Sequence, residues 1–341
     1  GQFINGTLSD IFGRKPLLII SLALFTLASY AATLVNNIYF LLLIRAIQGI
    51  ASAGPSVIAK ALLTDTMSGA ELKRASIYMV TIWGLSPIIA PAIGGYLQHY
   101  YGWHANFYFF AIYSLSMFIV VAALLKETLT NPAELKLKSI AEKYKTILSD
   151  TRFLANLTCM ALAYSIIMIF NIFVPFLVQD VLGYSAIKYG HIAMFIGLAF
   201  LIGSLSNRWL MTKFKTADVN RVGVILLVLV AVITMISAYL TKMDLVTLSV
   251  PAFFMVLIVG LLQTNFMTHN LSLFPHMGGT ASAAMGMILI LISGFITTIG
   301  SFIHHANGQV VVNWIYAAII GVYAFTYWVF LDKHQQNEEI N

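Results

Sequence analysis

A chain of 341 residues in which 60% are hydrophobic and only 9% charged has too little polar surface to fold as a water-soluble globule, so lipid must solvate most of it. Its net charge of +6 does not point to nucleic acid, because the Lys and Arg residues lie in short segments between apolar runs and are not gathered on one face. The single cysteine, Cys159, sits inside an apolar run and excludes both a disulfide framework and a thiolate zinc site.

The chain opens at Gly1 on what reads as the end of a helix followed by a basic turn, and is expected to lack a first helix and most of a second. Ten apolar stretches follow, near 17–35, 38–62, 76–98, 104–125, 153–178, 187–206, 222–240, 246–268, 281–302 and 311–331. A stretch of about 20 apolar residues crosses roughly 30 Å of hydrocarbon, and each of these is of that order. They are too long and too unalternating for barrel strands, and backbone groups in lipid must be satisfied within the segment, so the fold class is all-α and polytopic. Four spans precede the charged segment 126–152 and six follow it. Two helices missing at the start would restore six plus six. The expected organisation is an incomplete helical bundle over 1–125, a linker over 126–152, and a second bundle with a short tail over 153–341.

Positive residues are retained on the cytoplasmic side of a bilayer. Numbering the loops alternately puts sixteen Lys and Arg on one side, among them Arg14, Lys15, Lys73, Arg74, Arg208, Lys213, Lys215, Arg221 and Lys333, and only Lys188 and Lys242 on the other. The linker and the C-terminus are therefore expected in the cytoplasm. The linker itself carries both signs and reads as an ordinary solvated connection, with a partner-binding segment as the alternative.

An internal repeat agrees with two parallel halves. Gly6-Thr-Leu-Ser-Asp10, before the first complete span, resembles Gly203-Ser-Leu-Ser-Asn207 at the end of the sixth, and a basic turn and a helix follow each.

Three stretches carry chemistry. In Gly6-Thr-Leu-Ser-Asp10-Ile-Phe-Gly13-Arg14-Lys15-Pro16, Gly6 allows close helix approach, Gly13 permits a tight turn, and Asp10 and Arg14 are spaced to pair. The plain alternative is a polar turn with retained positive charge. Arg45 is the one full charge well inside a span, and a charge in hydrocarbon is costly enough that function is the default reading. A structural Arg bonding carbonyls or reaching for the interface is the alternative. Gln48, one turn on, is placed to share its hydrogen bonds. On the span 76–98, Pro87, Pro91, Gly94 and Gly95 remove backbone donors and side chains, allowing a bend and a close approach, or merely a kink.

These residues resemble a known family. The first stretch is similar to the signature loop between the second and third helices of the major facilitator superfamily. Arg45-Ala-Ile-Gln48-Gly49 resembles its drug:proton antiporter motif, and Ser86-Pro87-Ile-Ile-Ala90-Pro91-Ala-Ile-Gly94-Gly95 its fifth-helix antiporter motif, with Ala90 where many relatives have Gly. With His276-Met-Gly-Gly279-Thr280-Ala281-Ser282-Ala283, the pattern looks most like the bicyclomycin-resistance (Bcr/CflA) multidrug efflux branch. The resemblance implies two six-helix bundles rocking around a central cavity in the bacterial inner membrane, acting as a monomer without cofactor or metal. It implies that Asp10 meets the start of the eleventh helix near Gly279 and Thr280 as part of a conformational switch, and that Arg14 pairs with Asp65. It implies a proton-coupling role for Arg45, whose acidic partner would lie on the missing first helix. Ile11 stands where relatives frequently have a basic residue.

Small residues recur at Gly190, Gly197 and Ser204 and at Gly279, Gly286, Ser293 and Gly300, stripes that let helices approach and slide. In the resembled fold these helices lie against the fifth and the second. Tyr164, Met168 and Asn171 fall on one helical face, with Met194 on the next span, as candidates for a cavity that accepts varied apolar ligands; lipid-facing or core packing is the alternative for each. His191, His269, His276, His304 and His305 lie near span ends or in loops without metal-site spacing. The expected activity is proton-coupled efflux of small amphipathic drugs or toxic compounds, with lipid, small-molecule substrates and protons as partners. A native-metabolite exporter and an inactive truncated fragment are the alternatives. There is no Gly-x-x-x-x-Gly-Lys-Ser/Thr loop for an ATP-driven pump and no convergent catalytic cluster for a membrane enzyme.

Overall fold

The computed structural model describes residues 1–129, 137–274, 277–302 and 308–332, and among these every regular element is helical. In chain order they are α1 (Gln2–Phe12), α2 (Arg14–Leu34), α3 (Ile38–Thr66), α4 (Gly69–Tyr101), α5 (His104–Leu124), α6 (Leu137–Leu148), α7 (Thr151–Phe176), α8 (Ala186–Leu210), α9 (Thr216–Leu240), α10 (Leu245–Leu273), α11 (Gly278–Phe302) and α12 (Gly308–Thr326). Single π turns, Leu177–Val181 and Tyr327–Leu331, extend α7 and α12.

Nine of the described helices are long and apolar enough to cross a membrane. The tenth expected span, 76–98, lies within the 33-residue α4, several of whose side chains, Pro87 included, fall outside the described residues. The surfaces agree with lipid as solvent. On α9, Val222, Leu226, Leu229, Ile233, Ile236 and Leu240 form an exposed stripe at helical spacing, while Val224 and Leu227 on the opposite face are fully buried. A helix apolar all round is stable only in hydrocarbon or a large core.

Helix starts are fixed by local chemistry. The Asn37 side chain accepts from Tyr39 N to open α3, Asp150 accepts from Arg152 N and Phe153 N to open α7, and Ser185 accepts from Lys188 N to open α8. A capping box between Asp244 and Thr247 opens α10.

The chain divides into two compact units, Gly1–Trp83 with Tyr96–Leu137, and Gly84–Gly95 with Lys138–Asn341. In the first, Leu17, Leu18, Leu22 and Ile58 form a small core under Met117, Phe118 and Val121, and a hydrogen bond between Thr26 and Ser114 (2.8 Å) joins α2 to α5. In the second, Phe153, Phe170, Met255, Phe266, Tyr323 and Tyr327 are fully buried, with the ring of Phe266 6.2 Å from those of both tyrosines. Lipid is as apolar as leucine, so close packing and not hydrophobicity must hold these helices together. The closest case is α8 on α10. A methyl at Gly203 would overlap the carbonyl oxygen of Leu257, and one at Gly260 that of Phe200.

The segment after α5 is not wholly solvated. Within it α6 reads Leu-Lys-Ser-Ile-Ala-Glu-Lys-Tyr-Lys-Thr-Ile-Leu, and its Ile147 is fully buried in the second core with Tyr144 and Leu148 packed beside it. Glu134 and Lys136 of the same segment lie outside the described residues, as do His276, His304, His305 and Lys333.

Candidate functional site

The Gly6–Pro16 stretch folds as a helix end, a one-residue break and a helix start. Gly13 stands at φ 102°, a conformation that side-chain-bearing residues rarely adopt, and a Cβ there would also lie 2.5 Å from Glu127 Oε2. Asp10 and Arg14 therefore meet across a break and not along one continuous helix. Gly6 faces α3, where an added Cβ would lie 3.3 Å from Val57.

Arg14 is the hub, its side chain 10% exposed. Its Nε donates to Asp65 Oδ2 at 3.0 Å, and its Nη1 donates to Ser9 Oγ at 2.7 Å and to Asp10 Oδ1. The structure thus brings Asp10, Arg14 and Asp65 together from α1, α2 and α3. Sequence reasoning missed Glu127. Its Oε1 accepts from Arg14 N (3.0 Å) and its Oε2 from Lys15 N (3.1 Å), while Thr128 N and Leu129 N also donate to Oε1. Burial alone would raise the Glu127 pKa, but these four backbone donors hold it below the ordinary carboxylate value. A signal was present: Gly13 has no side chain to cap α2, so the free N–H groups at that helix start need an acceptor from elsewhere.

Arg45 lies about 10 Å along the axis from the start of α3, taking 1.5 Å per residue. Its Nη1 donates to Gln48 Oε1 (3.1 Å), and Gln48 Nε2 donates to Ser29 Oγ on α2 (2.8 Å). Gln48 and Ser29 are buried, and the exposed guanidinium lies 5.7 Å from the ring centre of Phe107 on α5. Among the described residues no acidic side chain pairs with Arg45. Ser29 and Phe107 had no sequence signal, since a serine and a phenylalanine inside apolar spans read as filler.

On α4, Gly95 and Pro91 lie in the segment that packs against α8. A Cβ on Gly95 would lie 2.7 Å from Ala186 O, and one on Gly190 would lie 2.9 Å from Pro91 O. Of the second small-residue stripe, Gly300 packs on Ile169 and Phe173 of α7, and the surroundings of Gly279 lie outside what is described.

The four cavity candidates are partly exposed on α7 and α8. Asn171 accepts a long hydrogen bond from Tyr189 Oη (3.4 Å), whose ring stacks on Phe170 at 6.4 Å. Among the described residues no polar contact joins Tyr164, Met168 and Met194 to that pair.

The second unit repeats the plan with amides in place of the charged Asp10 contact. Asn207, near the end of α8 as Asp10 is near the end of α1, donates to Asn265 Oδ1 (2.7 Å), and Asn265 donates to Asn220 Oδ1 (2.7 Å). At the start of α9, Arg221 grips Asp332, beyond α12, through Nε (3.1 Å) and Nη2 (2.9 Å). Each unit thus ties the start of one helix to a carboxylate beyond the end of its last one.

The Major Facilitator Superfamily model matches residues 1–298. The chain belongs to the Major Facilitator Superfamily. It is a multi-pass membrane transporter by family, not an enzyme. It is 27% identical over 303 residues to an uncharacterized MFS-type transporter, YdgK, of Bacillus subtilis, covering 87% of this chain and 75% of that one. It is 24% identical to a bicyclomycin resistance protein homolog of Haemophilus influenzae, over 84% of this chain and 73% of the relative. The multidrug transporter MdfA of Shigella boydii is 26% identical over 90% of this chain and 76% of its own. Among solved structures, a D-xylose–proton symporter superposes with a TM-score of 0.74 over 97% of this superfamily chain and 84% of its own, at 16% identity. An inward-facing bacterial homolog of the lysosomal transporter Spinster gives 0.70, at 16% identity over 97% and 85%. These two likenesses establish the fold.

Proposed function

We propose that this transporter exports small amphipathic drugs or toxic compounds across the bacterial inner membrane by alternating access, driven by proton re-entry. The observation that carries the coupling is Arg45, a permanent cation within a spanning helix, aimed by the Gln48–Ser29 relay and unmatched by any carboxylate among the described residues. Such a charge lowers the proton affinity of an acidic group brought near it, and a cargo competing for the same space alters that balance. The names of the multidrug and bicyclomycin-resistance relatives support drug efflux over other cargo.

In this reading Gly6, Asp10, Gly13, Arg14 and Asp65 form the conformational switch. Asp10 meets the start of α11 near Gly279 and Thr280 in one facing state, where a carboxylate is favoured by free helix N–H groups. Pro91 and Gly95 give α4 its close approach to α8, Pro87 and Gly94 complete the antiporter motif with them, and Tyr164, Met168, Asn171 and Met194 line the cavity. The linker and the C-terminus face the cytoplasm, and the Bcr/CflA branch is the fitting subfamily.

Proteoliposomes under an imposed pH gradient test this. A lipophilic fluorescent dye should move against its gradient and stop when a protonophore is added. Dye movement indifferent to the pH gradient would remove the coupling, and transport of a cell metabolite without any dye would favour a native-metabolite exporter.

A further inference from the structure

The two basic turns that the internal repeat relates differ in what their charges do. In the α1–α2 turn, Arg14 is consumed by Asp10, Asp65 and Ser9, while Lys15 Nζ donates to Ala122 O at 3.0 Å. In the α8–α9 turn, Arg208, Lys213 and Lys215 are all exposed, and none pairs with an acidic group among the described residues. Asp218 is the one acidic residue between Arg208 and Arg221.

Two large aromatic groups accompany those cations. Trp209 is 57% exposed and Phe214 55%, with Lys213 Nζ 4.3 Å from the Trp209 ring centre. The turn is ordered from beneath. Met211 N donates to Asn207 O, Thr212 N to Trp209 O and Phe214 N to Leu210 O, and the Asn207–Asn265–Asn220 chain pins both of its ends to α10. Two spanning helices, Ala186–Leu210 and Thr216–Leu240, end on it, so it lies at a membrane surface. An indole beside unpaired cations at that depth matches a phospholipid: ring at the acyl boundary, ammonium and guanidinium groups on the phosphate.

We infer that the α8–α9 turn binds the headgroups of anionic phospholipids through Arg208, Lys213 and Lys215, with Trp209 and Phe214 seated among the acyl chains. The site fastens the second unit to the leaflet it faces, whatever the transported cargo.

The test uses the purified full chain in mild detergent, titrated with phosphatidylglycerol, with phosphatidylcholine and with inorganic phosphate, bound lipid being counted by native mass spectrometry. The parent should retain phosphatidylglycerol and not phosphatidylcholine, and millimolar inorganic phosphate should not displace it. Each cation near a charged surface is worth about fivefold in affinity, so the combined Arg208→Gln, Lys213→Gln, Lys215→Gln variant should bind roughly a hundredfold more weakly. Lys213→Gln and Lys215→Gln made singly, about fivefold each, serve if the combined variant is not monodisperse. Retention unchanged in these variants, or equal retention of the two lipids by the parent, overturns the inference. Displacement by inorganic phosphate overturns it in favour of a free-phosphate site.

Discussion

Arg14 and Arg45 both stand on helices that cross the bilayer, yet their surroundings separate them. Arg14 meets two carboxylates and a hydroxyl, whereas Arg45 meets an amide and the face of a phenyl ring. A paired arginine is suited to holding one conformation, whereas an arginine lacking a carboxylate is available to an ionisable partner. Arg45→Ala should therefore abolish proton-coupled efflux while leaving the protein inserted and monodisperse, and unchanged uptake in proteoliposomes would refute the coupling role. Ser29→Ala should weaken coupling without abolishing it, because Gln48 loses its buried anchor; the readout is the pH at half-maximal transport, which a purely structural serine would not move. Arg14, Asp10 and Arg45 stood out in the sequence because charge among apolar runs is rare. Ser29, Phe107 and Glu127 did not, since their partners lie up to 113 positions away and nothing local marks them.

Helix ends carry the next set of consequences. Asp150 accepts two backbone N–H groups at the start of α7, so Asp150→Ala should cost about 1 kcal/mol, read as a lower unfolding temperature in detergent. Burial would raise the pKa of Asp150, as it would that of Glu127, but hydrogen bonds hold both below the ordinary carboxylate value. A group whose folded pKa is depressed stabilises the fold above its unfolded pKa, near 4.5 for glutamate, and that contribution is lost as pH falls through the folded value. Unfolding temperature should thus fall as acid is added below about pH 4.5, and fall less in Glu127→Gln, which has no carboxylate to titrate at that position. The spans themselves were legible because hydropathy over about 20 residues is a strong signal. The helix α6 was less so: Tyr144, Ile147 and Leu148 have the spacing of a buried face, but the lysines among them make the segment read as solvated.

At the scale of the molecule, the repeat of Gly6–Asp10 in Gly203–Asn207 already implied two related halves, and each unit places its copy at the end of a helix before a basic turn. The sequence could not reveal that one copy is held by charge and the other by amides, because Asn265 and Asn220 look like isolated polar residues until folding aligns them. Asp10→Asn should slow turnover by shifting the balance of facing states, and equal accessibility labelling of mutant and parent would count against the switch. Cysteines placed in the Arg14 and Arg208 turns should react from the same side of the membrane; labelling from opposite sides would overturn the topology.

That difference between the two fastenings has a practical corollary. Coulombic attraction fades as dissolved ions accumulate, whereas a chain of neutral carboxamides is almost indifferent to them. Within the Arg14 cluster only Asp10 is about half exposed, so concentrated potassium chloride should weaken that one contact slightly and leave the asparagine ladder unchanged.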